Sequence, residues 1–138
     1  MNQVSATRYY TSDTHFSHAL MLTACNRPFA DTRDMDEALI RGWNSVVRPE
    51  DTVFHLGDFS MALHDGARVR SIFSRLMGHK ILVLGNHDYA APNQVHPVIA
   101  SLDWAQEPVQ QLEVTDGGQR IFLCHYACRT WPAIKKGS

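Results

Sequence analysis

Four stretches of the chain carry side chains that hold metals or move protons: Asp13-Thr14-His15, Gly57-Asp58, Gly85-Asn86-His87-Asp88 and Cys124-His125. Each follows a short run rich in apolar, β-branched or aromatic residues, the composition of a strand. Chemistry is therefore gathered at strand tips, where open α/β sheets place their ligands. Asp13 and His15, one residue apart, reach a common space where the strand has ended and the backbone turns. Carboxylate, imidazole and amide oxygen together form a mixed N/O donor set suited to Zn, Mn, Fe, Co or Ni, without the sulfurs of a structural zinc site. Two carboxylates, Asp13 and Asp58, suffice to hold or bridge a pair of divalent ions. No Ser or Cys sits in a setting that would activate it as a nucleophile.

The elements that must position these tips can be read in order. Strands are expected at Arg8-Tyr9-Tyr10-Thr11-Ser12, Thr52-Val53-Phe54-His55-Leu56 and Ile81-Leu82-Val83-Leu84, the last reading as fully buried. A helical turn or two fits residues 19–24, broken by Arg27-Pro28-Phe29. A longer amphipathic helix carries Met35, Leu39, Ile40, Trp43 and Val46 or Val47 on one face, with Asp34 or Thr32 as its cap, and ends at Arg48-Pro49-Glu50-Asp51. A second runs from about Asp65 to Met77, with Val69, Ile72, Phe73 and Leu76 inward. This alternation predicts a βαβ core whose ligand-bearing tips meet on one edge. Beyond Asp88, residues 90–97 read as irregular, 104–106 and 110–114 as short strands, and Asp116-Gly117-Gly118 as a turn into a last strand at 120–124.

The bounds agree with one soluble domain spanning residues 1–138. A chain of 138 residues, 44% hydrophobic and 20% charged with a formal net charge of -1, buries roughly 68% of its unfolded surface on folding. No basic excess or aromatic stripe asks for nucleic acid, and no apolar run approaches the roughly 20 residues of a membrane span. Three cysteines without a leader pattern make reduced thiols in a cytoplasmic setting the expectation. Cys124-His125-x-x-Cys128 with Cys25 matches no standard zinc spacing. Of the eight histidines, His79 and His96 read as exposed or core-edge residues, and His55, inside a strand, as a satisfied core histidine. The aromatics Phe29, Trp43, Phe54, Phe59 and Phe73 read as core.

Asp13-Thr14-His15, Gly57-Asp58, Gly85-Asn86-His87-Asp88 and a late-strand His125, in this order, resemble the calcineurin-like metallophosphoesterases. The likeness runs from Tyr9 to about Trp131, and the Gly-Asn-His-Asp piece is its most specific part. The resemblance implies an αββα sandwich of mixed β-sheets flanked by helices. It implies a first metal on Asp13, His15 and a bridging Asp58, and a second on Asp58, Asn86 and His125. The cofactors would be two divalent or mixed-valence transition-metal ions, with Mn favoured. His87 would donate a proton to the leaving group, Asp88 would orient His87 and raise its pKa, and Asn86 and His87 would also contact substrate. The implied reaction is hydrolysis of a phosphate mono- or diester by a metal-bridging hydroxide, on a phosphorylated small molecule or a phosphodiester.

One departure bears on this expectation. The family carries a further Gly-His-x-His motif, and this sequence reaches Lys135-Lys136-Gly137-Ser138 without it. Each metal is then at least one protein ligand short, and the chain reads as truncated at its C-terminal side. Water, another subunit or another histidine could also fill the gap. His18 is the in-chain candidate, with a substrate-facing or helix-capping role as its alternative. Arg27 and Arg129 are the candidate cations for an anionic substrate, with a solvated surface charge as theirs. Substrate-shaping loops are expected at 16–34 and 59–65. The alternative function is an impaired module that binds metal weakly and serves as a protein-interaction scaffold. A homodimer is compatible with the sequence without being required by it.

Overall fold

The computed structural model describes residues 6–16, 31–61 and 63–126. The helical turns expected at 19–24, the loop from 17 to 30, and His18, Cys25, Arg27, Phe29, Cys128 and Arg129 lie outside these residues. The centre is a parallel sheet of three strands, β1 (Arg8–Thr11), β2 (Thr52–His55) and β3 (His79–Leu82), hydrogen-bonded in the order β1-β2-β3. Tyr10 lies opposite Phe54, and Phe54 opposite Ile81, in the parallel βαβ arrangement that the alternation of elements predicts. β3 begins two residues earlier than expected, because His79 and Lys80 take up pairing with Thr52 and Val53. Polar residues enter the sheet there because Lys80 covers the Phe73 ring, 4.4 Å from its centroid, while its ammonium donates to the Leu76 carbonyl at 2.7 Å.

Helix α1 (Thr32–Val46) and helix α2 (Gly66–Arg75) pack on one face of this sheet. Asp31, not Asp34 or Thr32, caps α1: its carboxylate accepts from the Asp34 amide at 2.7 Å. Asp65 caps α2 in the same way, accepting from Arg68 at 3.2 Å. Val69, Ile72, Phe73 and Leu76 are buried as their spacing predicts, around a cluster that includes Ile40, Phe59, Leu82, Leu84 and Trp104. Residues 97–101 form a short helix, α3 (Pro97–Ser101), which also packs here through Ile99.

The opposite sheet face is covered by an antiparallel hairpin of β6 (Gln111–Asp116) and β7 (Gln119–Cys124), turning at Gly117-Gly118. Phe54, Val83 and Leu123 are the buried centre of that second layer. Tyr10 stacks on Phe54 at 5.2 Å and its hydroxyl donates to Asp116 at 2.7 Å, fastening the hairpin to β1. The result is a helical layer, a parallel sheet and an antiparallel sheet, an α/β sandwich of mixed sheets. Residues 90–97 are more ordered than expected, since β4 (Tyr89–Ala91) and β5 (Gln94–Val95) pair as a small hairpin. Residues 104–106 are not a strand. Only isolated bonds tie this segment to β3, Ala105 to the Lys80 carbonyl at 2.7 Å and Val109 to that of Leu82 at 3.3 Å.

Candidate metal centre

The tips of β1, β2 and β3 converge as the sequence pattern requires. Past β1 the chain turns through Asp13 and His15, and past β2 through Asp58, all three with left-handed backbone (φ 55°, 47° and 59°). Non-glycine residues hold that conformation at a cost of about 1–2 kcal/mol each, a strain that concentrates at functional sites. Backbone bonds hold the two turns together: Asp13 donates to the Gly57 carbonyl at 2.9 Å and His15 to that of Asp58 at 3.1 Å. The β2 and β3 tips touch through glycine. A Cβ on Gly85 would stand 2.5 Å from Asp58 Oδ1, and one on Gly57 would stand 2.6 Å from the Gly85 nitrogen.

Asp58 is the hub. Its Oδ1 accepts from the His87 amide at 2.9 Å, while Oδ2 faces His15 Nε2 at 3.4 Å and His125 Nε2 at 3.6 Å. Asp13, half exposed, lies 3.4 Å from the same His15 nitrogen. Burial works to raise the Asp13 pKa, but the Ser12 hydroxyl and His15, hydrogen-bonded to it, bring the net shift below the usual value. His125 is oriented from behind, with its Nδ1–H donating to the Leu56 carbonyl at 2.7 Å. That bond fixes the tautomer and leaves the Nε2 lone pair directed at Asp58 and Asn86.

The Asn86 amide has two settings in this space. With its oxygen inward it stands 3.1 Å from His125 Nε2, so three acceptors face one another, an arrangement suited to a cation. With its nitrogen inward the amide donates to His125 Nε2 at 3.1 Å and to Asp58 Oδ2 at 3.2 Å, and its oxygen accepts from His87 Nε2 at 3.3 Å. Among the described residues, Asp13, Asp58 and His125 offer ligand atoms all within 4.8 Å of one another. The donor set thus fits divalent metal on chemical grounds. His87 stands beside it, its ring edge-on to His15 at 5.6 Å between centroids.

Asp88 is placed otherwise than expected. It is fully buried, and its carboxylate accepts from the amides of Gly85 at 2.8 Å, Asp58 at 2.9 Å and Phe59 at 3.2 Å. It therefore ties the β2 and β3 tips together, and no hydrogen bond joins it to His87. Desolvation by burial raises its own pKa, against the lowering effect of those amides. His55 is the satisfied core histidine that its strand position suggests. Its Nδ1 accepts from Gly57 at 3.1 Å and its Nε2 pairs with the Thr14 hydroxyl at 2.9 Å, while burial pushes its pKa down to about 3. His79 is exposed, and His96 caps α3, its Nδ1 accepting from Val98 at 3.1 Å.

Sequence reasoning missed the Ser12 hydroxyl on Asp13 and the Leu56 carbonyl behind His125. The first was visible as a neighbouring residue type; the second is a backbone group with no sequence signal. Of the loops expected to shape substrate, 17–30 lies outside the described residues.

Comparison with known proteins accords with this geometry. The family model of the calcineurin-like phosphoesterases matches residues 8–137. The chain belongs to that family. An uncharacterized protein of Methanocaldococcus jannaschii is 41% identical over 80 residues, 58% of this chain and 46% of that protein. The gene 66 protein of Mycobacterium phage L5 is 36% identical over 86 residues, 61% of this chain and 41% of that one. The chain thus spans less than half the length of either relative. A crystal structure of a protein of unknown function from Aquifex aeolicus superposes with a TM-score of 0.68 at 28% identity, covering 96% of this chain and 67% of the other. Among the described residues no helix is long and apolar enough to cross a membrane.

Proposed function

We propose that this phosphoesterase hydrolyses phosphate mono- or diesters with two divalent metal ions held at the converged strand tips. Asp13, His15 and Asp58 would hold one ion, and Asp58, Asn86 and His125 the other, with Mn the favoured metal. Such ions, when bound, supply Lewis acidity toward a phosphoryl group and toward water. The observation that carries the reading is the inward-facing set of Asp58 Oδ2, His125 Nε2 and the Asn86 amide, with the His125 tautomer fixed by the Leu56 carbonyl.

The remaining steps fall to the chain. Asp58 Oδ1, by accepting from the His87 amide, keeps the His87 backbone against the site. The half-buried His87 ring, beside His15, is the group within reach of a leaving-group oxygen and would hand it a proton. Asp88 contributes by fixing the spacing of the tips, not by tuning His87.

Two measurements test the proposal together. Protein purified without chelators should contain about two transition-metal ions per chain by mass spectrometry, and should cleave a chromogenic phosphoester when Mn²⁺ is supplied. His87→Ala should lower turnover by about 10²–10⁴ with the metal content unchanged. Loss of bound metal in that variant would remove the proton-donor role. Inertness of the wild-type chain with every divalent ion tried would overturn the reading in favour of a binding scaffold.

A further inference from the structure

Next to the metal centre lies a cavity of about 490 Å³, between the β4–β5 hairpin and the β6–β7 hairpin. It falls within the roughly 300–1,000 Å³ range of small-molecule sites. Asn86 belongs both to this cavity and to the cluster of candidate ligands. Tyr126, which also lines the cavity, sets its ring edge-on to His125 at 5.0 Å. A substrate whose phosphoryl group sat at the metal centre would therefore extend its organic part into this space.

The chemistry of the walls selects among organic parts. None of the described residues lining the cavity is charged, so a second phosphate, a carboxylate or an ammonium would meet no counter-charge there. Besides Asn86, three amides line it, Asn93, Gln110 and Gln111, each presenting a donor and an acceptor side by side. Two tyrosine rings, Tyr89 and Tyr126, accompany them, and Tyr126 is 56% exposed. Paired amide groups match the donor and acceptor edges of a heteroaromatic base, and exposed aromatic rings stack on its face. A base would use both the rings and the amides, whereas a lipid chain would use the rings and strand the amides.

Resting on the phosphoesterase reading above, we infer that this cavity is a nucleobase subsite, so that the substrate is a nucleotide ester whose base lies between Tyr89, Tyr126 and the amides of Asn93, Gln110 and Gln111. The occupant is a single base with its ribose, in keeping with the absence of charged side chains among the described residues lining the cavity.

Binding of adenosine, which carries no phosphate, tests the subsite without requiring metal or turnover. In NMR titrations of the whole chain without added metal, the resonances of residues 89–93 and 110–111 should shift saturably, and glycerol phosphate should leave them in place. Tyr126→Ala should weaken adenosine binding about 5- to 100-fold and lower the preference for AMP over glycerol phosphate by the same factor, while Tyr126→Phe retains both. If adenosine and the other nucleosides leave these resonances unmoved while phosphoesters are still hydrolysed, the subsite is refuted and the phosphoesterase reading stands. Nucleoside binding by a chain inert with every metal would uphold the subsite and overturn that reading.

Discussion

The two ends of the parallel sheet both carry a fully or almost fully buried aspartate, and they use it in opposite ways. At the end where β2 begins, Asp51 is saturated with donors: the Thr7 amide at 2.8 Å, the Arg48 amide at 2.8 Å and the Arg48 guanidinium at 2.9 Å. At the end where β2 finishes, Asp58 has one amide donor, from His87, and turns its other oxygen toward imidazoles and the Asn86 amide. A carboxylate surrounded by N–H groups is a brace, whereas one that faces lone pairs is a ligand in search of a cation. Asp88, three residues past Gly85, belongs with Asp51 despite its position in the Gly-Asn-His-Asp stretch, because amides occupy both its oxygens.

The largest effect should separate the ligand from the braces. Asp58→Asn keeps a residue tolerant of the left-handed backbone at φ 59° while removing the charge shared by the two candidate ions. Metal content should fall and hydrolysis should drop on the order of 10³-fold, since several kcal/mol of charge stabilisation disappear. The thermal midpoint of the metal-free protein should hardly move. Activity kept within tenfold would place the hub elsewhere.

Asp88→Ala should behave in the reverse manner. It leaves the buried amides of Gly85, Asp58 and Phe59 without an acceptor, at a cost of roughly 3 kcal/mol or more, about 10 °C in a domain of this size. Activity would be lost chiefly through unfolding and loosened tips. A variant with an unchanged midpoint and a displaced pH–rate profile would restore the His87-tuning role that the sequence suggested.

That reversal marks where the sequence stops being informative. Asp13, His15, Asp58, Asn86 and His125 stand out in the sequence as candidates because a polar residue at the end of an apolar strand has few structural uses. Asp88 was read from its neighbour His87, but its partners are amides, two of them about 30 positions away on another strand tip. The major helices were legible from apolar period. α3, with five residues, is too short for a period and is betrayed only by Pro97 at its first position. The hairpin at 89–95 and the isolated bonds between 105–109 and the residues of and just after β3 are set by tertiary neighbours and leave no local trace. The early start of β3 escaped notice because Lys80 looks like a surface residue until the Phe73 ring covers its stem.

The smallest effect sharpens the comparison by its pH sign. The Arg48 guanidinium, together with the Thr7 amide, holds Asp51 at a pKa of about 2, below the ordinary 3.8. The unfolded chain takes up a proton there at higher pH than the folded one, so the contribution of Asp51 is whole above about pH 4 and is lost as pH falls toward 2. Asp88 has no cation beside it, and burial raises its pKa, so its own contribution runs the other way and is lost as pH rises through the folded value. Urea midpoints of the wild-type chain and of Asp51→Asn, measured from pH 5 to pH 2, should therefore converge as the acid is added. Parallel curves would show that Asp51 keeps an ordinary carboxylate pKa in the folded chain, so that neither Arg48 nor the amides favour its charged form.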